Sequence, residues 1–186
     1  MTELGADFYA AGATTIGLYF HATFWKNGKI EKQFGPKTNG ALVQAHGQDL
    51  YYFVSSYFGL KENVNDYRIY KNGTELYNLP LKGFVWNDVY KSMGFMEGAD
   101  CYVLAALDHA VYDRTLRIWK NGKVLLDVDR GSYTVEGFYV KNCDVYTMGL
   151  DNVGKEFTPV LFKNKERLPL DLLNAKTARV GGVYVQ

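Results

Sequence analysis

The feature that most constrains the fold is a pentapeptide that keeps returning. Phe24-Trp25-Lys26-Asn27-Gly28 recurs as Ile69-Tyr70-Lys71-Asn72-Gly73 and as Ile118-Trp119-Lys120-Asn121-Gly122, with a decayed copy at Leu161-Phe162-Lys163-Asn164-Lys165. The four lysines are 45, 49 and 43 residues apart. That is the period of a four-stranded propeller blade, whereas solenoid repeats are usually shorter or helical. A second marker, Asp-apolar-Tyr, runs in phase at Asp7-Phe8-Tyr9, Asp49-Leu50-Tyr51, Asp100-Cys101-Tyr102 and Asp144-Val145-Tyr146. Two independent markers at one period leave chance a poor explanation.

Each period reads as four strands, a to d. In the second, ALVQAHG is a short apolar strand, Gln48-Asp49 a turn, and LYYFVSSYF an aromatic, β-branched strand. After a polar loop, DYRIYK leads into Asn72-Gly73 and ELYNL leads out. Asn-Gly between strands signals a two-residue hairpin in which both central residues need positive φ. In the fourth copy Lys165 replaces this Gly, which predicts a different turn type. No segment carries a capped 3.6-residue period, so helix is not expected. The first marker, Asp7, begins directly with a b strand and no a strand is expected ahead of it, while ARVGGVYVQ at the other end alternates like one. The expected fold is therefore all-β: a single domain forming a four-bladed β-propeller of antiparallel four-stranded blades. Its blades span about residues 7–40 plus 178–186, 41–88, 89–137 and 138–177, and the last strand closes the ring on the N-terminal blade, removing two edges. The rivals are a piece of a larger propeller or a ring made by two chains.

Lys plus Arg exceed Asp plus Glu by one among 186 residues, which gives no field to attract nucleic acid. Hydrophobic residues make up 47%, yet no apolar run is long enough to cross a bilayer, so membrane insertion is not expected. The opening MTELGADFYA has no basic or apolar leader region; the compartment stays open, export after signal removal included. Cys101 and Cys143 lack metal-site or redox spacing and read as buried thiols. With its KNG hairpins and G-x-D-apolar-Tyr turns, the chain from Gly5 to Gln186 resembles bacterial β-propeller repeat proteins whose blades carry both features. The resemblance implies the fold and no activity.

The repeated residues read mainly as structure. Asp7, Asp49, Asp100 and Asp144 would hold their own turn N–H groups. Tyr9, Tyr51, Tyr102 and Tyr146 would pack blade on blade, as would Trp25, Tyr70, Trp119 and Phe162. The KNG lysines read as solvated edge charges. No metal or cofactor is expected, and the channel is expected to hold ordered water or at most a weak ion.

Function is expected where blade-specific loops gather on a rigid scaffold. The b–c loops (about 15–20, 57–66, 108–114 and 151–156) and d–a loops (about 35–40, 82–88, 131–137 and 174–177) share one face. There Tyr19, Tyr57, Phe58, Trp86, Tyr112 and Tyr133 break the repeat, and Asp88, Asp108, Asp113 and Glu136 add acid. These residues suggest a monomeric, non-enzymatic module binding a carbohydrate or a protein surface, with Tyr19, Tyr57, Phe58, Trp86, Asp88, Tyr112, Tyr133 and Glu136 in contact. The alternative is a glycoside hydrolase or lyase using Asp108, His109 and Asp113, which stand close to Tyr112 and Arg114. His21 and His46 fall in other blades, and no catalytic string such as G-x-S-x-G or H-E-x-x-H occurs.

Overall fold

The computed structural model describes residues 1–57, 64–80, 93–110, 113–129, 133–153 and 156–170. Sixteen strands form four antiparallel sheets, each an up-and-down meander of four consecutive strands, and no helix occurs among the described residues. The first sheet holds β1 (Thr2–Leu4), β2 (Asp7–Ile16), β3 (Tyr19–Lys26) and β4 (Lys29–Pro36). The second holds β5 (Thr38–His46), β6 (Asp49–Tyr57), β7 (Val64–Lys71) and β8 (Thr74–Pro80). The third holds β9 (Met93–Glu97), β10 (Asp100–Ala110), β11 (Asp113–Lys120) and β12 (Lys123–Asp129). The fourth holds β13 (Tyr133–Lys141), β14 (Asp144–Val153), β15 (Glu156–Lys163) and β16 (Glu166–Leu168).

The hairpin logic holds at the level of single dihedrals. Asn27, Asn72 and Asn121 have φ of 49°, 49° and 50°, and the glycines after them 79°, 86° and 79°, the paired left-handed conformation of a type I′ turn. Asn164 keeps φ 55°, but Lys165 does not enter the left-handed region, so the fourth turn is of another type. The first three hairpins carry a register shift beside the turn, at Phe24/Trp25, Ile69/Tyr70 and Ile118/Trp119, and the fourth has none.

Strand alternation gives each sheet two apolar faces, and consecutive sheets stack through them. Tyr9, Ala22 and Phe24 of the first sheet meet Val43, Leu50, Tyr52 and Val54 of the second. Tyr51, Phe53, Tyr67 and Ile69 on the second sheet's other face meet Met96, Cys101, Val103 and Trp119 of the third. Tyr102, Leu104, Leu116 and Ile118 meet Val135, Val145 and Val160 of the fourth. Each fully buried Phe, Leu or Ile contributes about 1.5–3 kcal/mol relative to exposure, so these three seams are a large source of stability. As expected, Tyr9, Tyr51 and Tyr102 pack between sheets, Trp119 is buried, and Tyr70 and Phe162 border the neighbouring seams.

Several expectations need correction. An a strand does precede Asp7: Thr2–Leu4 pairs with Asp7–Tyr9, with Leu4 opposite Asp7 across the Gly5-Ala6 turn. Residues 178–186 lie outside the described residues. The a strands of the second and fourth sheets begin earlier than expected, at Thr38 and Tyr133, because a register shift at Gly40/Leu42 and at Val135/Gly137 lets pairing continue past each irregularity. Stretches expected as d–a loops are thus partly strand. Cys143 is an exposed thiol, since it occupies the β13–β14 turn with φ 65°; Cys101 is buried, and burial pushes its thiol pKa up to about 12.

Candidate functional site

The residues repeated in every sheet build one recurring unit at the end where a–b and c–d turns lie. In each, the Asn side chain bridges the two turns. Its amide donates to the Asp carboxylate at 2.7, 2.7, 2.6 and 2.9 Å from the first sheet to the fourth. Its carbonyl oxygen accepts the backbone N–H of Phe8, Leu50, Cys101 or Val145 at 2.8–2.9 Å. The Lys ammonium lies 2.8, 2.8, 2.7 and 2.8 Å from the other carboxylate oxygen. It also sits over the marker tyrosine, 5.4–5.9 Å from the ring centroid of Tyr9, Tyr51, Tyr102 or Tyr146. The aspartates therefore do not hold their own backbone N–H groups, and the lysines are ion-paired. Antiparallel pairing sets residues about twenty positions apart side by side, and these charge-assisted contacts outcompete a local Asx turn. With both carboxylate oxygens engaged in all four copies, the unit is a clamp between hairpins. Among the described residues no group of three His, Cys, Asp or Glu side chains is placed to hold a metal ion.

The clamp makes stability depend on pH. Hydrogen bonds from Lys and then Asn hold Asp7, Asp49, Asp100 and Asp144 below the ordinary 3.8. A carboxyl depressed in the folded state stabilises it above the unfolded pKa, and that contribution is lost as pH falls through the folded value. The thermal midpoint is therefore expected to stay flat from neutral pH to about pH 5 and to drop below about pH 4. Added salt should soften the drop, because the pairs are half-exposed. Melting curves by circular dichroism between pH 2.5 and 7 check this; a midpoint unchanged at pH 3 contradicts it.

The opposite face is the one expected to bind. Its first b–c connection is only Gly17-Leu18, joining β2 to β3, and it projects four large apolar side chains: Ile16 is 52% exposed, Leu18 92%, Tyr19 44% and Phe20 43%. Beside it the sheet-to-sheet link is the single residue Lys37, held at φ 64°, with its ammonium 5.5 Å from the Tyr19 ring centroid. A cleft of about 260 Å³ opens there, lined by Phe34, Pro36, Lys37, Thr38, Arg68 and Tyr70 among others. Thr38 Oγ1 ties its near wall, donating to the Gly35 carbonyl at 2.6 Å and accepting the Ala22 N–H at 2.9 Å.

Of the expected contact residues, Tyr19 opens β3 in an exposed position beside Lys37, outside the cleft lining itself. Tyr57 ends β6 and Tyr133 opens β13, opposite Asp151, both in strands rather than loops. Glu136 is exposed at the β13 register shift, on a different sheet from Tyr19. Phe58, Trp86, Asp88 and Tyr112 lie outside the described residues. Asp108 and His109 belong to β10 and Asp113 opens β11, so the expected loop is a strand end, with Asp108 opposite Arg114 and Ala110 opposite Asp113. The exposed pair Ile16 and Leu18 and the cleft residues Lys37 and Arg68 were missed by sequence reasoning. The run Ile16-Gly17-Leu18-Tyr19-Phe20, apolar across a turn, was the available signal for the first two.

No protein-family model matches the chain, and no curated protein matches it. Among solved structures the fold is similar to a mutant of the Bombyx mori GH32 beta-fructofuranosidase BmSUC1 in complex with sucrose, at 8% identity and a TM-score of 0.48. That match covers 88% of this chain and 44% of the fructofuranosidase chain, so the chain spans under half the length of that protein.

Proposed function

We propose that the chain is a closed four-bladed propeller, of the kind it resembles in sequence, and works as a non-enzymatic binding module. It engages a carbohydrate or protein partner through the b–c and d–a face. The observation that carries the binding reading is the exposed tip of Ile16, Leu18, Tyr19 and Phe20 beside the cleft between the first two sheets. A single exposed apolar side chain is ordinary, whereas four at one hairpin tip adjoining a concave site form a contact surface. The near-zero net charge favours a partner held by shape and aromatic contact over a polyelectrolyte.

Closure is supported by equivalence. Three seams use the same face-to-face pattern, which leaves one face of the first sheet, with Phe8 and Trp25, and one of the fourth, with Tyr146, Met148 and Leu161, as natural partners.

The test of function is a glycan array together with a pull-down from the source cell, run on the parent, on Tyr19→Ala/Phe20→Ala and on Val124→Ser/Leu125→Ser at the opposite end. The tip pair is expected to abolish binding with a melting curve close to the parent's, because neither residue belongs to a buried seam. Binding that survives the tip pair and disappears in Val124→Ser/Leu125→Ser overturns the placement. Polysaccharide turnover abolished by Asp108→Asn replaces it with the hydrolase or lyase reading.

A further inference from the structure

The b–c face carries an apolar knob and an apolar socket side by side. The knob is the turn Gly17-Leu18 between β2 and β3, where Gly17 holds φ 61° and Leu18 is 92% exposed, so the leucine side chain touches almost nothing of its own chain. Ile16, 52% exposed, stands before it at the end of β2. The socket is the cleft of about 260 Å³ between the first two sheets. The two adjoin: His21, two residues along β3 from Tyr19, is paired with Pro36 of the lining, and the Tyr19 ring lies 5.5 Å from the ammonium of Lys37, which also lines the cleft.

The cations of the lining are already satisfied. Arg68 Nη2 donates to Asp66 at 2.8 Å, its guanidinium also bonds to Tyr70, and Lys37 sits over Tyr19. What the cleft offers an incoming group is therefore its apolar wall: Phe34 and Tyr70, with ring centroids 4.7 Å apart, together with Pro36 and Val54. Its volume falls below drug-sized sites of roughly 300–1,000 Å³ and suits one or two aliphatic side chains.

Resting on the binding reading above, we infer that the protein partner of this face is a second copy of the chain, with the Leu18 tip of each copy seated in the cleft of the other about a two-fold axis. Any other partner has to bring both a socket for Leu18 and a knob for the cleft. This chain brings both on one face, and a two-fold operation matches them reciprocally. Charge permits the approach. A two-fold axis sets side chains close to their own copies, where like charges repel, and from Phe8 to Trp25 the chain has no Asp, Glu, Lys or Arg. The assembly also stops at two, because each knob and each socket is used once and no open array grows. Two tips and two clefts place the contact among small interfaces, below roughly 1,200 Å² in total, so the dimer is weak and reversible, in place of the monomer expected from the sequence.

The experiment uses the whole chain, as parent and as Leu18→Asn. Asn is at home in a tight turn and the leucine buries almost nothing in its own chain, so the variant keeps the fold. Sedimentation velocity from about 5 µM to about 1 mM is expected to show a monomer–dimer equilibrium in the parent, weakened about a hundredfold in Leu18→Asn: roughly tenfold for each buried leucine, counted twice by the symmetry. In an equimolar mixture of isotope-labelled and unlabelled chains, filtered NOE spectra are expected to join the Leu18 methyls of one copy to the Phe34 and Tyr70 rings of the other. A parent that stays monomeric, a dimer equally stable in Leu18→Asn, or intermolecular contacts elsewhere, tip on tip or at Phe8 and Trp25 of the outer face, overturns the assignment. If the chain is monomeric and glycan or pull-down binding still depends on Tyr19 and Phe20, the second-copy assignment alone falls; if that dependence is absent too, the binding reading falls with it.

Discussion

Asn121→Ala is expected to lower the thermal midpoint by about 5–15 °C, although the residue lies in a surface hairpin. Three losses combine. An alanine held at φ 50° costs roughly 1–2 kcal/mol in the left-handed region. The Cys101 N–H, which donates to Asn121 Oδ1 at 2.9 Å, loses its acceptor in a half-buried setting at a cost of roughly 1–3 kcal/mol. Asp100 loses the amide donor 2.6 Å from its carboxylate and keeps only Lys120. In a chain of this length each kcal/mol moves the midpoint by roughly 2–4 °C. Asn121→Gly separates the terms, because it restores the backbone freedom and forfeits both side-chain bonds; about half the loss should remain. Asn121→Asp keeps the acceptor and sets a second carboxylate against Asp100, so its defect should shrink as pH falls toward 4. Calorimetric melts of the three variants decide the matter, and an Asn121→Ala midpoint within 2 °C of the parent removes the clamp as a source of stability.

The second large effect concerns ring closure. Phe8 is 52% exposed, while Leu50, Cys101 and Val145, its counterparts in the other sheets, are 8%, 3% and 1% exposed. Tyr146 is likewise half-buried where Tyr9, Tyr51 and Tyr102 are at 4%, 4% and 0%. If these two faces complete the fourth seam, Phe8→Asp puts an unpaired charge into it. The expected loss is then about 2–4 kcal/mol, or roughly 5–15 °C, with Phe8→Leu near neutral. At a site left open to solvent the same change stays within roughly 0.5 kcal/mol. Deleting residues 178–186 is the companion variant. The strand β1 covers β2 only over Asp7–Tyr9, so the inner edge from Ala10 to Ile16 has no partner among the described residues. A terminal strand alternating like an a strand would complete it, and its removal should bring early melting or aggregation. Unchanged midpoints in both variants reject closure, and a particle of twice the monomer mass by light scattering that persists in Leu18→Asn assigns the seam to two chains.

Some of this was written in local sequence. An Asn-Gly pair between alternating runs permits few backbone conformations, so the hairpins at residues 27, 72 and 121 were legible from dihedral constraints alone, as was the altered turn at Lys165. The period of about 45 residues gave the sheet count, because in a sequence without a helical period that length between equivalent turns fits a four-stranded meander. Strand alternation likewise put Tyr51 and Phe53 on one face and Leu50 and Tyr52 on the other. The functions of the repeated polar residues were not legible. Asp100 and Asn121 are neighbours only after β10 and β11 pair, and a periodic pattern specifies which face a side chain takes but not which charge stands opposite. The short β1 was missed because three residues carry too little pattern to read as a strand until β2 offers a paired edge. The cleft was beyond any single-segment reading, since Phe34 and Lys37 come from the first sheet and its link, and Arg68 and Tyr70 from β7 of the second. Local backbone sterics determined each hairpin from the sequence, whereas the stacking of whole sheets, a nonlocal packing equilibrium, decided which polar groups meet and where a concave surface opens.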